Sequence, residues 1–391
     1  MKKLLILGAM KMHVPVIQRA KERGLYVITC DYIPENVGHG YAQESYYDST
    51  TDCAAVLKLS ERLKIDGIMT FCSDPAAYTV SYVAEKLGLS GNPTKSVKIL
   101  SEKDLFRKFQ KDNGFDYPHF ICCTEIEDAI AQICDLTFPV LIKPVDSSGS
   151  KGVYKLNSID DVKKYWDISM RYSRCKRIII EEFIDKRGYQ LQGDAFFSQG
   201  ELKFICLGDE HADVEPLGTS YPSVLDKTMM DKVTSEVERC LRLVGFNEGG
   251  VNIEVRIGED NKVYIVEIGA RNGGHYNVEA IGCKTGYDFY DHAIDSALGF
   301  TYKSQPVIDN GLYGNLIVYS QCGGVFDGIE YLDELKGCIV KENLYLEKGD
   351  AVEPYHGSNT AVGVLIVKFN SIEQMLRISD NFSDYYKIIL K

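Results

Sequence analysis

The sequence contains no apolar stretch near the about 20 residues that a membrane-spanning helix needs, so no membrane association is predicted. It has no Cys-x-x-Cys pair, and most of its 12 cysteines stand among apolar residues, which favours buried free thiols over disulfides. It also lacks a basic excess, because the net charge is −12, and this argues against a nucleic-acid partner. These absences predict a soluble protein of a reducing, cytoplasmic compartment.

A dinucleotide-binding glycine fingerprint is also missing, although the first 92 residues alternate strand and helix. That alternation predicts a parallel, Rossmann-like sheet with right-handed crossovers. The first predicted strand, Lys3–Leu7, runs into Gly8 without a following G-x-G-x-x-G pattern, so NAD is not expected. The Gly8–His13 loop and Asp74, which follows a later strand, remain candidates for contact with another ligand.

Two predicted strands near residue 260 each carry one acid at an otherwise apolar stretch. Glu254 lies on the first strand and Glu267 on the second, Val263–Ile268, and a turn at Asp260 joins them as antiparallel neighbours. This pairing brings the two carboxylates together, which is costly unless a cation lies between them. A glycine-rich loop with Arg271 follows, and such a loop suits metal and phosphate chemistry.

Residues 138–184 have the pattern of a strand, a polar loop, a strand, a helix and a strand. Lys143 ends the first apolar run, and the loop Asp146–Gly152 is rich in serine and glycine. Backbone amides and hydroxyls of such a loop can close over a phosphate chain. Lys103 begins an earlier amphipathic helix, where a cation opposes the helix dipole unless it faces an anion. Further on, Asp209–Ser223 is predicted to be a long loop that contains His211.

Taken in order, the motifs FPVLIKP, DSSGSKGV, IIIEEFI, NIEV and VEIGARNGG resemble the ATP-grasp superfamily over about residues 1–300. The tail is similar to the small C-terminal domain of some members. The resemblance implies a multidomain α/β and α+β fold. Its expected parts are a Rossmann-like domain at 1–92, an ATP-grasp domain at 93–300 with a lid subdomain at about 138–184 and an antiparallel-sheet subdomain, and a small α+β domain at 301–391.

The resemblance also implies the roles of particular residues. Those expected to bind the nucleotide are Lys103, Lys143, Ser147, Ser148, Gly149, Ser150, Gly152, Val153, Glu181, Glu182, Phe183, Ile184 and Gln190. Glu254 and Glu267 are the expected metal ligands, and Arg271 with Lys143 is expected to contact the transferred phosphoryl group. Those expected to border the carboxylate substrate are Asn272, Gly273, Gly274, His275 and, in the predicted loop, His211.

Two positions depart from the pattern of the superfamily. Gln190 stands where a Glu usually binds the ribose, so Glu182 or Asp185 could make that contact instead. Gly269 stands where many members have an Asn metal ligand, so either water or Asn272 would replace it.

The resemblance implies an ATP-dependent ligase that uses Mg²⁺, or Mn²⁺ in its place. Such an enzyme activates a carboxylate as an acylphosphate, an amine attacks it, and ADP and phosphate are released. Gly269 and the tail favour an amino-acid or peptide substrate. A purine-biosynthesis-type ribonucleotide ligase and a nucleotide-binding protein without turnover remain open alternatives. A homodimer is common among the proteins it resembles, and the sequence leaves the oligomeric state open.

Overall fold

The N-terminal region forms a parallel sheet, as the alternation of strand and helix predicted. In the computed structural model, residues 1–212 and 216–391 are described, with the side chain of Ser358 excepted. The elements of this region are β1 (Lys3–Leu7), α1 (Val14–Glu22), β2 (Tyr26–Cys30), β3 (Glu44–Tyr46), α2 (Cys53–Leu63), β4 (Gly67–Met69) and α3 (Asp74–Leu87). The strand order is β3-β2-β1-β4, and each pairing is parallel.

The middle of the chain forms a smaller antiparallel sheet, which has three strands within residues 138–184 and one before them. Its elements are α4 (Thr94–Ser101), α5 (Lys103–Asp112), β5 (Phe120–Cys123), α6 (Ile126–Gln132), β6 (Val140–Pro144), β7 (Tyr154–Leu156), α7 (Ile159–Arg171) and β8 (Ile178–Glu182). The strand order is β5-β8-β6-β7. Helix α7 begins after Ser158, because the Ser158 hydroxyl accepts a hydrogen bond from the Asp161 amide.

The rest of the chain builds a long antiparallel sheet and a small one beside it. Its elements are β9 (Gln190–Ser198), β10 (Glu201–Ala212), β11 (Pro216–Tyr221), α8 (Lys227–Val244), β12 (Gly249–Ile257), β13 (Val263–Gly269), α9 (Asn277–Thr285), α10 (Phe289–Ala297), β14 (Leu312–Val318), β15 (Gly324–Tyr331), α11 (Asp333–Lys336), β16 (Ile339–Leu344), β17 (Ala351–Val352), β18 (Gly363–Phe369), α12 (Ile372–Asp380) and β19 (Tyr386–Leu390). The long sheet has the order β13-β12-β9-β10-β11-β14-β18-β16, and the small one β17-β15-β19.

Side-chain alternation along β12 separates the apolar core from the cleft above the sheet. Ile253 and Val255 are buried in the hydrophobic core that includes residues of α8. Glu254 and Arg256 alternate with them and therefore face the opposite side. Within residues 1–212 and 216–391, no helix combines the length and apolar character that a bilayer crossing requires.

The predicted loop Asp209–Ser223 is wrong at residues 209–212 and 216–221, which lie in strands. Strand β10 continues to Ala212 and pairs with β11, so that His211 lies opposite Gly218. Residues 213–215 of the predicted loop lie outside the described residues. The polar side chains of this segment have hydrogen-bond partners inside the fold. The Asp209 carboxylate, for example, accepts from the Val224 amide.

The long sheet continues across the predicted domain boundary at residue 300. Strand β14 pairs with β11 on one side and with β18 on the other. The last third of the chain therefore extends the central sheet, while the division into domains stays a prediction.

Gly193 offers a test of how tightly the central sheet packs, because a Cβ there would lie 2.1 Å from the carbonyl oxygen of Cys206. We expect Gly193→Ala to cost about 1–3 kcal/mol and to lower the apparent Tm by several degrees, measured by thermal unfolding. Gly40→Ala is the matched control, because an added Cβ there meets no atom within 4 Å. Equal Tm values for the two variants would contradict the steric argument.

Candidate active site

The two predicted metal ligands lie directly opposite each other. Glu254 on β12 pairs with Glu267 on β13 in the antiparallel register, so both side chains point to the same face. A third acid that the sequence analysis missed, Glu210 on β10, lies close by. Burial, followed by the charges of Glu210 and Glu267, raises the pKa of Glu254 to about 8. The site thus has more negative charge than its surroundings neutralise, and a hard cation would relieve that excess.

Gln190 connects two of these acids through a neutral amide. Its Nε2 donates to Glu210 Oε2 at 2.5 Å and to Glu254 Oε2 at 3.3 Å, and its Oε1 accepts from Arg256 Nε at 2.6 Å. Burial raises the pKa of Glu210 to about 7. A glutamate at position 190 would add another carboxylate to this cluster, which gives a physical reason for the departure from the superfamily pattern. The ribose contact of Gln190 stays a prediction.

Lys103 joins the serine-rich loop to the acid pair. Its Nζ donates to the Ser147 carbonyl oxygen at 2.7 Å and lies 3.3 Å from Glu267 Oε2. The loop turns back on itself, because the Ser147 hydroxyl donates to the Lys151 carbonyl at 2.7 Å and Gly149 has a φ of 63°. A lysine at the start of α5 therefore faces an anion, as the misfit with the helix dipole predicted.

Lys143 lies in a buried ion network rather than in open solvent. Its Nζ pairs with Glu181, whose other carboxylate oxygen accepts from Arg107 Nε at 2.9 Å. Burial favours the neutral acid, but Arg107 and Lys143 outweigh it and lower the pKa of Glu181 to about 2. Arg107 also donates to the Val266 carbonyl at 2.9 Å, next to Glu267. The sequence analysis missed Arg107. It lies four residues after Lys103, on the same face of α5, and this spacing is the feature that could have identified it.

The predicted hinge residues Glu182, Phe183 and Ile184 run between the two sheets. The amide of Phe183 donates to the Pro139 carbonyl at 3.0 Å, and the Phe183 ring lies between Lys155 Nζ, 3.7 Å from its centroid, and Arg256. A cleft of about 410 Å³ lies along residues 182–185, beside segments 115–119 and 258–264. The adenine contact of the hinge stays a prediction.

Arg271 is held by a residue of the N-terminal sheet region. Its NH2 lies 2.6 Å from Asp74 Oδ2, and its NH1 donates to the Asn272 carbonyl at 3.1 Å. Burial opposes the charge, but Asp74 and Glu267 raise the pKa of Arg271, so the guanidinium is cationic. A small cavity that reaches from Asp74 and Gly269 to the serine loop brings these residues together with Lys103 and Glu267.

Asp194 anchors the glycine-rich loop after β13, and the sequence analysis missed it. Its carboxylate accepts from the Gly273 amide at 2.6 Å, from Asn277 Nδ2 at 2.6 Å and from Asn272 Nδ2 at 3.3 Å. The Asn272 amide therefore points into this buried network in the structure. Gly273 has no room for a side chain, because a Cβ would lie 2.7 Å from Asp194 Oδ2.

His275 and Gly274 contact the loop that follows β1. The His275 amide donates to Met12 Sδ at 3.0 Å, and a Cβ on Gly274 would lie 3.6 Å from the same sulfur. The His275 Nδ1 lies 3.1 Å from the Tyr345 hydroxyl, and burial lowers the pKa of the imidazole to about 4. The imidazole is therefore neutral at physiological pH, and its predicted contact with substrate remains untested.

His211 points to the opposite face of β10 from Glu210. Its Nδ1 lies 2.7 Å from Asp380 Oδ1, and its Nε2 lies 2.8 Å from the Ser220 hydroxyl. The order Ser–His–Asp is that of a nucleophilic triad, but Ser220 is fully buried and has no access to a substrate. In the structure these contacts tie α12 to the β10–β11 hairpin, and the substrate role of His211 stays a prediction.

The acid pair could hold a metal only with help from other ligands. Over residues 1–212 and 216–391, no three or more His, Cys, Asp or Glu side chains form a metal-binding group. Mg²⁺ commonly takes one or two carboxylates and completes its shell with phosphate oxygens and water. Glu254 and Glu267 supply oxygen ligands of that kind, beside cationic groups suited to phosphate.

Residues 136–279 match the family model described as an ATP-grasp domain. These residues have the ATP-grasp fold. This region includes both acids, the serine loop, the hinge and the loop of Arg271. The resemblance drawn from the motifs is confirmed, and the matching segment covers the cleft between the two antiparallel sheets.

Solved structures with the same fold match along the whole chain. The L-amino acid ligase from Bacillus licheniformis superposes with a TM-score of 0.80 at 22% identity and covers 100% of this chain and 99% of its own. The phosphoribosylglycinamide synthetase from Anaerococcus prevotii gives a TM-score of 0.78 at 22% identity and covers 100% of both chains. These similarities confirm the predicted ATP-grasp fold.

Curated relatives are similar over shorter parts of their own length. The carbamoyl phosphate synthase large chain of Caldanaerobacter subterraneus subsp. tengcongensis is 24% identical over 303 residues, which are 74% of this chain and 27% of that protein. The formate-dependent phosphoribosylglycinamide formyltransferase of Corynebacterium glutamicum is 28% identical over 187 residues, 47% of this chain and 46% of that protein. The chain therefore matches less than half the length of these two relatives.

The raised pKa of Glu254 predicts how the ligand-free protein responds to pH. Its pKa rises from 4.5 to about 8 on folding, so the folded state binds a proton more tightly than the unfolded state. The resulting stabilisation is fully present below pH 4.5 and is lost as the pH rises to 8. We expect the apparent Tm of the wild type to fall between pH 5 and 8, and that of Glu254→Gln to fall less. Differential scanning calorimetry without Mg²⁺ measures both.

Glu61→Gln is the control for this pH comparison, because Glu61 is an exposed acid on α2. It should follow the pH dependence of the wild type. A Glu254→Gln variant with the same slope as the wild type would show that Glu254 gains no proton on folding.

Proposed function

We propose that this ATP-grasp protein is an ADP-forming ligase that activates a carboxylate as an acylphosphate for attack by an amine. The observation that carries the proposal is the opposed pair Glu254 and Glu267, with Lys103 and Arg271 as neighbouring cations. Phosphoryl transfer to a carboxylate must bring a triphosphate and another anion together, so neutralisation of charge is its main requirement. The two acids and the two cations lie close to one another and meet that requirement.

The proposed mechanism assigns each group a charge or a position. Mg²⁺ held by Glu254 and Glu267 would neutralise phosphate oxygens. Lys103 donates to the Ser147 carbonyl and so holds the serine loop in place. The backbone amides of that loop can then cover the phosphates. Arg271, with a permanent planar charge, is suited to the transferring phosphoryl group.

The surroundings of His275 favour an amino-acid or peptide substrate. Met12 and Tyr345, which contact His275, are uncharged, and burial keeps the imidazole neutral. A ribonucleotide carries a phosphate group, which is usually bound by cationic side chains. A purine-type ribonucleotide remains the second candidate, because the phosphoribosylglycinamide synthetase has the same fold.

Glu267→Gln tests whether the acid pair serves turnover. We expect the wild type to form ADP from ATP and Mg²⁺ with a pool of amino acids, and the variant to lose at least about 100-fold in rate, because one metal ligand is gone. Liquid chromatography of the nucleotides measures the products. Removal of Mg²⁺ by EDTA should abolish the reaction in the wild type.

Glu61→Gln should keep full activity in the same assay. ADP formed with ribonucleotide acceptors alone would favour the purine-type ligase. Tight ATP binding without turnover in any pool would favour a nucleotide-binding protein. AMP and pyrophosphate as products would contradict acylphosphate chemistry.

A further inference from the structure

One acid of the N-terminal sheet region, Asp74, lies at the proposed phosphate site. Asp74 is the first residue of α3, and its carboxylate lies 2.6 Å from the guanidinium of Arg271, 197 positions further along the chain. The side chains of Asp74 and Arg271 are only 24% and 12% exposed. A buried ion pair contributes little net stability after desolvation, so its presence calls for a reason other than stability.

The ion pair leaves no free space for a side chain at Gly269. A Cβ at position 269 would lie 3.0 Å from Asp74 Oδ1 and 3.1 Å from Arg271 Cζ. The ion pair therefore fills the volume that a side chain at position 269 would enter. The absence of a side chain at Gly269 and the acid at Asp74 belong to one arrangement.

The other contacts of Arg271 leave its orientation dependent on Asp74. NH1 donates to the neighbouring Asn272 carbonyl, which moves with the same loop, and the buried Nε has no hydrogen-bond partner among the described residues. Asp74 is thus the contact that fixes the guanidinium relative to another part of the fold. The buried Nε–H thus keeps the capacity to donate a further hydrogen bond.

We propose that Asp74 is a positioning residue, through which the N-terminal region sets the orientation of Arg271 for phosphoryl transfer. The inference rests on the proposed function, because it assigns Arg271 to the reacting phosphate. Asp74 itself contacts the guanidinium and not the phosphoryl group. Its role is to hold one face of Arg271 so that the remaining donors point at the reacting oxygens.

The test compares kcat and KM for three variants, with ATP, Mg²⁺ and the amino-acid pool that supports ADP formation in the wild type. Asp74→Asn removes the charge and should lower kcat roughly 10- to 100-fold, with KM for ATP within about threefold. Asp74→Glu keeps the charge and should recover part of the loss. Gly269→Ala crowds the ion pair without removing charge and should lower kcat in the same direction.

Asp52→Ala is the matched control, because Asp52 caps α2 in the same region through the Ala54 and Ala55 amides. It should lower the apparent Tm and leave kcat unchanged. An Asp74→Asn variant with the kcat of the wild type overturns the proposal. A rise confined to KM of the carboxylate also overturns it, because Asp74 would then bind substrate directly.

A double-mutant cycle with Arg271→Lys separates positioning from independent effects. If Asp74 acts through Arg271, Asp74→Asn should change kcat little in the Arg271→Lys background. If the effects of the two substitutions on kcat multiply, the two residues act independently, and the proposal is overturned. If the wild type forms no ADP with any pool, the proposed function fails, and the cycle is then measured as the affinity for Mg-AMP-PNP by calorimetry. There, coupled effects support the contact as a positioning device and additive effects overturn it.

Discussion

Repulsion between Glu254 and Glu267 is the constraint around which the cleft is organised. Antiparallel pairing places the two carboxylates side by side, and Glu210 adds a third from the next strand but one. The fold compensates this charge with hydrogen bonds from the neutral Gln190 amide, a raised pKa at Glu254 and a nearby Lys103. Each of these is a partial compensation, which leaves a site that a divalent cation would complete.

One face of α5 connects the two sheets that border the cleft. Lys103 reaches the serine loop and Glu267, while Arg107 one turn later binds Glu181 of β8 and the Val266 carbonyl of the long sheet. A rigid helix thus carries two cations to two sides of the same cleft. The buried network keeps Glu181 ionised, because its two cationic neighbours outweigh the desolvation of the carboxylate.

Much of the fold and part of the site could be predicted from short-range patterns. The turn at Asp260 was enough to pair Glu254 with Glu267, and the alternation of strand and helix was enough for the parallel sheet. Long-range contacts escaped that reasoning. The Asp194 carboxylate binds the Gly273 amide 79 positions away, and no local pattern marks such a partner. The polar run around His211 was predicted to be a loop, because no local pattern marks a partner such as Asp380, which lies 169 positions away.

The continuity of the long sheet has a consequence for any shortened form of the chain. Strand β14 pairs with one edge of β11, β18 pairs with β14, and β16 pairs with β18. A fragment ending near residue 300 would present the unpaired amides and carbonyls of β11 to solvent. Open edges of that kind pair readily with other chains, so self-association is the hazard that the last 90 or so residues reduce by pairing with the edge of β11.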